Sequence, residues 1–243
     1  MRCLNDLELL APTDAETAFA ERLALWIHFT DAIPLSAIHS GELPPPARAK
    51  GASSAAQARP ESLAAEFNQA KSALVNGVIK AFAAPPGHTV GGLPVLPLTP
   101  PASAAAIWLP YRRFYETQQR DLDTRVQPLR ARLRGILALA SPRMSKLAEL
   151  DAMFDKILRG RELELLARVP LLLKTRFEQL FKQHQDQVTA GVATPDCAAW
   201  LERDGWLARF CKDMQMLLLA EAELRLQPAL GLLEAFKKEN HNE

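Results

Sequence analysis

Apolar residues recur at spacings of three and four along most of this chain, the period of a helix with one buried stripe. Thr13 opens the first run as a cap, and Glu16 three residues later completes a capping box. Phe19, Leu23, Trp26, Ile27 and Thr30 follow, and Pro34 ends the run, because proline cannot donate to the helix ladder. A second helix starts near Glu61 and buries Leu63, Phe67, Ala70, Leu74, Val78 and Phe82. Gly77 lies beside that stripe. The third runs from Pro110 to Ala140 with Tyr115, Gln118, Leu122, Val126, Leu129, Leu133, Ile136 and Ala140 at coiled-coil-like spacing. Pro128 inside it predicts a kink or a split.

Ser141-Pro142 reads as a restart, a capping serine followed by a first-turn proline. Met144, Leu147, Leu150, Phe154, Ile157 and Leu158 carry the next helix, and Leu163, Leu165, Leu166 and Val169 continue it past Gly160 to Pro170. Leu173, Phe177, Leu180 and Phe181 form another, fraying near Gln185 to Gly191. Thr194-Pro195-Asp196 opens the last helical region, which has two adjacent apolar seams. One holds Leu207, Phe210, Met214, Leu217 and Leu224; the other holds Cys211, Leu218, Ala222, Leu226 and Leu233. A helix apolar over two faces lies between neighbours, so this is the expected central element, bent at Pro228.

Proline placement divides these helices. Eleven of the 18 prolines fall between Pro34 and Pro101. The stretch 41–60, with Pro44-Pro45-Pro46, reads as a flexible linker. The stretch 84–109, with Pro85-Pro86-Gly87 and Gly91-Gly92, reads as a proline- and glycine-rich strap that packs in extended form or makes one short β segment. The expected organisation is an N-terminal helical segment (1–40), the linker (41–60), a helix (61–83), the strap (84–109), a main helical bundle (110–236) and a disordered polar tail (237–243). The fold class is all-α: a bundle of long antiparallel, partly coiled-coil-like helices with proline-rich linkers.

Composition narrows the class without naming a reaction. The chain has 243 residues, 48% of them hydrophobic, which is enough for a core and excludes global disorder. Three cysteines cannot form a closed disulfide framework. No apolar run approaches the roughly 18 to 20 residues of a membrane span, and the first residues lack the apolar core of a signal peptide. A cytoplasmic protein with no direct membrane insertion is expected. None of the five histidines pairs with another His or with Cys at ligand spacing, and there is no HExxH, CxxC or ExxH. No nucleophile elbow or phosphate loop is present. Cys197 and Cys211 are 14 residues apart, and Cys211 lies in the most apolar helix, as a buried structural thiol would. The expectation is a non-enzyme with no cofactor and no metal.

Charge is distributed unevenly. The chain is near neutral at +1. Between Tyr111 and Lys146, however, nine basic residues face three acids. Arg112, Arg113, Arg120, Arg125, Arg130, Arg132, Arg134 and Arg143 are therefore candidates for binding nucleic acid or an acidic partner helix. The competing reading, and the favoured one, is a solvated face whose arginines pair with Glu149, Asp151, Asp155, Glu162 or Glu164. The run Trp26 to Ser36 places large apolar residues beside the linker. It is either a small cap docked on the bundle or a partner-binding helix, with Trp26, Phe29, Asp31 and Ile33 as contact residues.

Three blocks carry a family resemblance. Phe19-Ala20-Glu21-Arg22-Leu23 with Trp26, Phe29-Thr30-Asp31-Ala32-Ile33 and Leu35-Ser36 resembles the opening of a proteobacterial family of unknown function, family 3348. Ser141-Pro142-Arg143, Leu147, Leu150-Asp151 and Leu166-Ala167-Arg168-Val169-Pro170 resemble its middle. Asp213-Met214-Gln215, Leu217 to Glu221, Arg225 to Pro228 and Leu230-Gly231-Leu232 resemble its end. The resemblance implies context rather than chemistry. Such proteins look like companions of a membrane protein with a long cytoplasmic coiled coil and of an OmpA-like peptidoglycan-binding protein. That set is similar to Zorya-type antiphage defence systems. The expected function is a helical accessory protein of a multi-protein bacterial assembly in phage defence, with protein partners. Nucleic-acid binding through residues 112–146 is the alternative.

Overall fold

The computed structural model describes residues 27, 29–40, 59–83, 92–97, 103–194 and 196–241. Six α-helices and one short 3-10 turn account for nearly all of them: α1 (Phe29–Ser40), α2 (Pro60–Ala83), α3 (Ala104–Ala140), α4 (Pro142–Leu166), α5 (Val169–Thr189), the turn Cys197–Leu201, and α6 (Trp206–His241). The protein is all-α.

The stripes predicted for α2, α3 and α6 supply most of the core, whereas in the stripe predicted for α4 only Met144 is buried. Leu63, Phe67, Leu74 and Val78 of α2 are buried, as are Tyr115, Leu122, Val126, Leu129, Leu133 and Ile136 of α3. Both seams of α6 are buried except at Leu224, which is 57% exposed. Two neighbouring stripes on one helix still leave an outer edge, and Leu224 falls on it. The Ser141 restart has the expected geometry: its Oγ accepts from the Met144 N–H at 3.2 Å and its carbonyl from the Ser145 N–H at 2.8 Å.

Several boundaries differ from expectation. Helix α1 runs through Pro34 rather than ending there. A proline forfeits one ladder bond, but a helix docked along a neighbour can offset that loss, and α1 packs against α4. Residues 104–109, expected in the strap, are the first turns of α3, where Ile107 and Trp108 are buried. Helix α3 is not split at Pro128, whose ring lies on the exposed side. The polar tail stays helical to His241, because Phe236 is buried and anchors the last turns. Within the strap, residues 92–97 have no regular structure, and Leu93 alone of their apolar side chains is buried. The expected first run from the Thr13 cap through Phe19 and Leu23 to Trp26, residues 41–58 of the linker, and 84–91 and 98–102 of the strap lie outside the described residues.

Packing divides the chain into two units. Among described residues, unit 1 holds 73–124 and 167–224, and unit 2 holds the rest of α2, α1, residues 125–166 and 225–241. In unit 1, α5 runs antiparallel to α6: Arg176 pairs with Asp213, Phe177 with Phe210 and Phe181 with Trp206. Helix α3 runs parallel to α6 there, since Trp108 and Tyr111 meet Phe210 while Gln119 meets Glu221. In unit 2, α3 and α4 form an antiparallel hairpin about the single residue Ser141, and α4 is antiparallel to α6 through Arg143–Glu239 and Arg225–Glu162.

Candidate functional site

Three places can carry function, and each follows from how the sequence folds locally. The first is the arginine-rich part of α3. Arg130 is only 8% exposed, an unusual place for a guanidinium. Its Nε and Nη2 donate to the Asp151 carboxylate at 2.9 and 2.6 Å, and its Nη1 to Asp155 at 2.8 Å. Arg134, one turn on, donates to Asp155 at 3.1 Å and Asp151 at 3.4 Å. The i, i+4 spacing on each helix places two cations opposite two carboxylates across the hairpin. Burial alone would lower the Arg130 pKa. The hydrogen bonds that Arg130 donates to Asp151, then the charges of Asp151, Asp155 and Glu162, more than offset it and hold the pKa above its ordinary value. Arg132 pairs with Glu66 at 2.5 Å, Arg112 with Glu116 at 2.7 Å and Arg143 with Glu239 at 3.5 Å. Arg120 donates to the Glu116 carbonyl and Thr117 Oγ1. Arg113 and Arg125 are exposed. Pairing with Asp151 and Asp155 is thus present, and it draws Arg130 and Arg134 away from the surface.

The second place is in unit 2. A groove of roughly 700 Å³ opens between α4 and α6, with Met144, Leu147, Leu150, Gly231 and Ala235 along its floor. Charges of both signs fringe it. A Cβ built on Gly231 would meet nothing within 4 Å, so the groove is open at that point. Helix α1 docks on α4 in the same unit while leaving Ile33 59% exposed. Asp31 is half-buried, and Phe29 begins the helix. α4 itself keeps only Met144 and Ala148 fully buried, and Leu163 and Leu165 face solvent.

The third place has no counterpart in the sequence reading. In unit 1 the end of α5, residues 190–194, the 3-10 turn and the start of α6 enclose a cleft of roughly 500 Å³. Gly191 ends α5 with φ +71°, the left-handed conformation that favours glycine. Asp196 caps the turn by accepting from the Ala198 N–H at 2.9 Å. Gly205 then brings the backbone against the Trp200 carbonyl so closely that a Cβ there would collide with it. Close approach at Gly205 folds Trp200 against Trp206, ring centroids 5.3 Å apart. His184 of α5 stacks on Trp206 at 5.9 Å and meets Trp200 edge-on at 6.0 Å. Burial lowers the His184 pKa below the ordinary histidine value. Both indole Nε1 atoms are buried and have no hydrogen-bond partner among the described residues.

Comparison with known proteins adds one finding. The family model described as "Protein of unknown function (DUF3348)" matches residues 1–238. The chain belongs to the DUF3348 family. Comparison with curated proteins and with solved structures returns no match. The match spans all three blocks on which the resemblance rested, and the family's description carries no activity.

Nothing among the described residues groups three or more His, Cys, Asp or Glu in a metal-binding arrangement. Both described thiols are buried: burial pushes Cys211 up to about 12, and burial followed by Asp196 raises Cys197. Neither is a ready nucleophile, because the thiolate is the reactive form. Among described residues no helix is long and apolar enough to cross a membrane.

Proposed function

We propose that this DUF3348 chain is a helical accessory protein that binds other proteins within a multi-protein bacterial assembly, with phage defence as the context that the family resemblance suggests. The observation that carries the reading is the open groove of unit 2. An apolar floor between two helices, fringed by both signs of charge, is the form that receives an amphipathic helix. Large apolar side chains exposed on α1 and α4 of that unit support it. A partner with a long coiled-coil segment would supply such a helix.

The test is co-purification with the products of neighbouring genes, using the wild-type chain and Gly231→Met. A Cβ at Gly231 meets nothing within 4 Å, so the substitution starts from open space at the lining of the groove. Loss of the partner with an unchanged thermal midpoint supports the groove; retention of the partner rejects it. Plaque counts with the gene deleted test the defence context, and unchanged resistance in an otherwise active system rejects that part.

A second reading rests on the exposure of Arg112, Arg113, Arg120 and Arg125. These lie outside the buried quartet and remain at the surface of α3, where phosphates can be contacted. Binding to DNA or RNA at low salt, lost at high salt, supports it. Absence of binding at low salt removes it.

A further inference from the structure

The strap of unit 1 has an order that the helices do not explain. Pro94 and Pro97 are three residues apart, and the sequence repeats that spacing at Pro100, outside the described residues. Each proline fixes its own φ and biases the residue before it, here Leu93 and Leu96, toward extended backbone. Of residues 93–97, only Val95 escapes both restraints. Such a run is set for the polyproline II conformation, which turns once in about three residues and forms no internal hydrogen bonds. Residues 93–97 accordingly have no helix or strand, and no hydrogen bond joins them to other described residues.

Exposure follows the same period. In a strand Leu93 and Val95 would share a face, yet Leu93 is 6% exposed and Val95 70%. With three edges instead of two faces, Leu93 and Leu96 share one edge, Pro94 and Pro97 a second, and Val95 occupies the third. Leu93 is buried and Leu96 half-buried, both prolines are half-buried, and Val95 is exposed. One edge therefore anchors the strap and the other two remain accessible. No Asp, Glu, Lys or Arg occurs from Ala81 to Tyr111, so charge does not select what meets those edges. Proline rings in a row beside an exposed valine, on backbone already extended, match a groove lined by aromatic side chains. Rings pack on aromatic faces, carbonyls accept from donors between them, and little conformational freedom is lost. We infer that Pro94-Val95-Leu96-Pro97 is a docking strip for a partner protein that presents such an aromatic-lined groove.

The inference rests on the reading of the chain as an interaction protein, but it uses a different unit, so the two can fail separately. Here the chain supplies the peptide and the partner supplies the groove. At Gly231 the roles are reversed.

The experiment places the photocrosslinker p-benzoylphenylalanine at position 95 of the full chain, in an extract of the cells that naturally carry it. The same group at position 171, where Leu171 is 62% exposed on α5, is the control. The expected result is a product at position 95 that the control lacks, mapped by peptide mass spectrometry to a cluster of Trp, Tyr or Phe residues in the partner. A peptide of residues 91–99, blocked at both ends and added at millimolar concentration, should reduce the product roughly fivefold or more. The same peptide with both prolines replaced by Ala should leave it in place, a comparison that does not depend on the folding of any variant chain. Gly231→Met should also leave it in place. The inference is overturned if position 95 gives no more product than position 171, or if the product maps to a partner segment without aromatic residues. It is equally overturned if position 95 joins to this chain itself or to a second copy, or if the two peptides compete alike. Loss of the product in Gly231→Met overturns it too, by assigning the contact to the groove of unit 2.

Discussion

The two units share α2, α3 and α6 and hold them by different means. Unit 1 is joined by aromatic rings. Phe177, fully buried, contacts Trp108, Phe181, Trp206 and Phe210, and among described residues every ring–ring pair lies in this unit. Unit 2 adds a network of charge to a mostly aliphatic core. Its α3–α4 hairpin carries Arg130 and Arg134 against Asp151 and Asp155, and Arg225, also buried, approaches Glu162 at 3.7 Å. Aromatic packing gains chiefly from buried area, with edge-to-face pairs adding about 0.5–1.5 kcal/mol each. A buried ion network gains little net stability, because desolvation cancels much of the attraction, but it permits few alternative registers. The difference teaches that stability and register can be supplied by separate parts of one helix. In α3, residues 108–115 supply the first and residues 130–134 the second.

The sharpest way to break this contrast is to remove the centre of each network. Phe177→Ala deletes a ring that touches four others and should cost about 4 kcal/mol, read as a lower denaturant midpoint. The loss should be insensitive to salt. Asp151→Asn keeps the shape of its side chain but leaves Arg130 short of its main acceptor. A loss of about 3 kcal/mol is expected, because an uncompensated buried charge remains. The double variant Arg130→Met with Asp151→Leu should lose less than Asp151→Asn alone, since Arg134 and Asp155 still pair. Equal losses for the single and double variants would show that packing, not charge, holds the hairpin.

How far the sequence anticipated these networks follows from the range of the signals. Helices α2 to α6 were legible because three-and-four spacing is local to each helix, and the Ser141-Pro142 restart because capping is local too. Asp151 and Asp155 were among the acids expected to pair with the arginines, since charge can be counted. That Arg130 would be buried was not legible, because burial depends on which face the hairpin closes. The cleft was missed for a similar reason. Trp200, Gly205 and Trp206 are close in sequence, but their meaning depends on α5 lying across them and on Gly205 touching the Trp200 carbonyl. A Gly between two Trp, five residues from one and adjacent to the other, was the available signal, and it resembles no periodic pattern. Proline was over-read at Pro34 and Pro128, where a helix supported by its neighbours continues regardless.

The smallest expected effect separates the units by pH. His184 lies against Trp200 and Trp206, and burial depresses its pKa below the ordinary value. The folded state therefore favours the neutral ring, whereas the unfolded chain takes up its proton near pH 6.5. Stability from this group is fully present above that pH. It is lost as pH falls through the lower folded value, because the unfolded state then binds more protons. The wild-type midpoint should accordingly fall between pH 7.5 and 5.5 by more than that of His184→Gln, which cannot titrate there. Arg130, held above its ordinary value, keeps its charge throughout this range and contributes nothing to the slope. If His184→Gln shows the same pH dependence as the wild type, the slope arises outside the cleft. The neutral imidazole would then not be part of what keeps the Trp200–Trp206 floor closed.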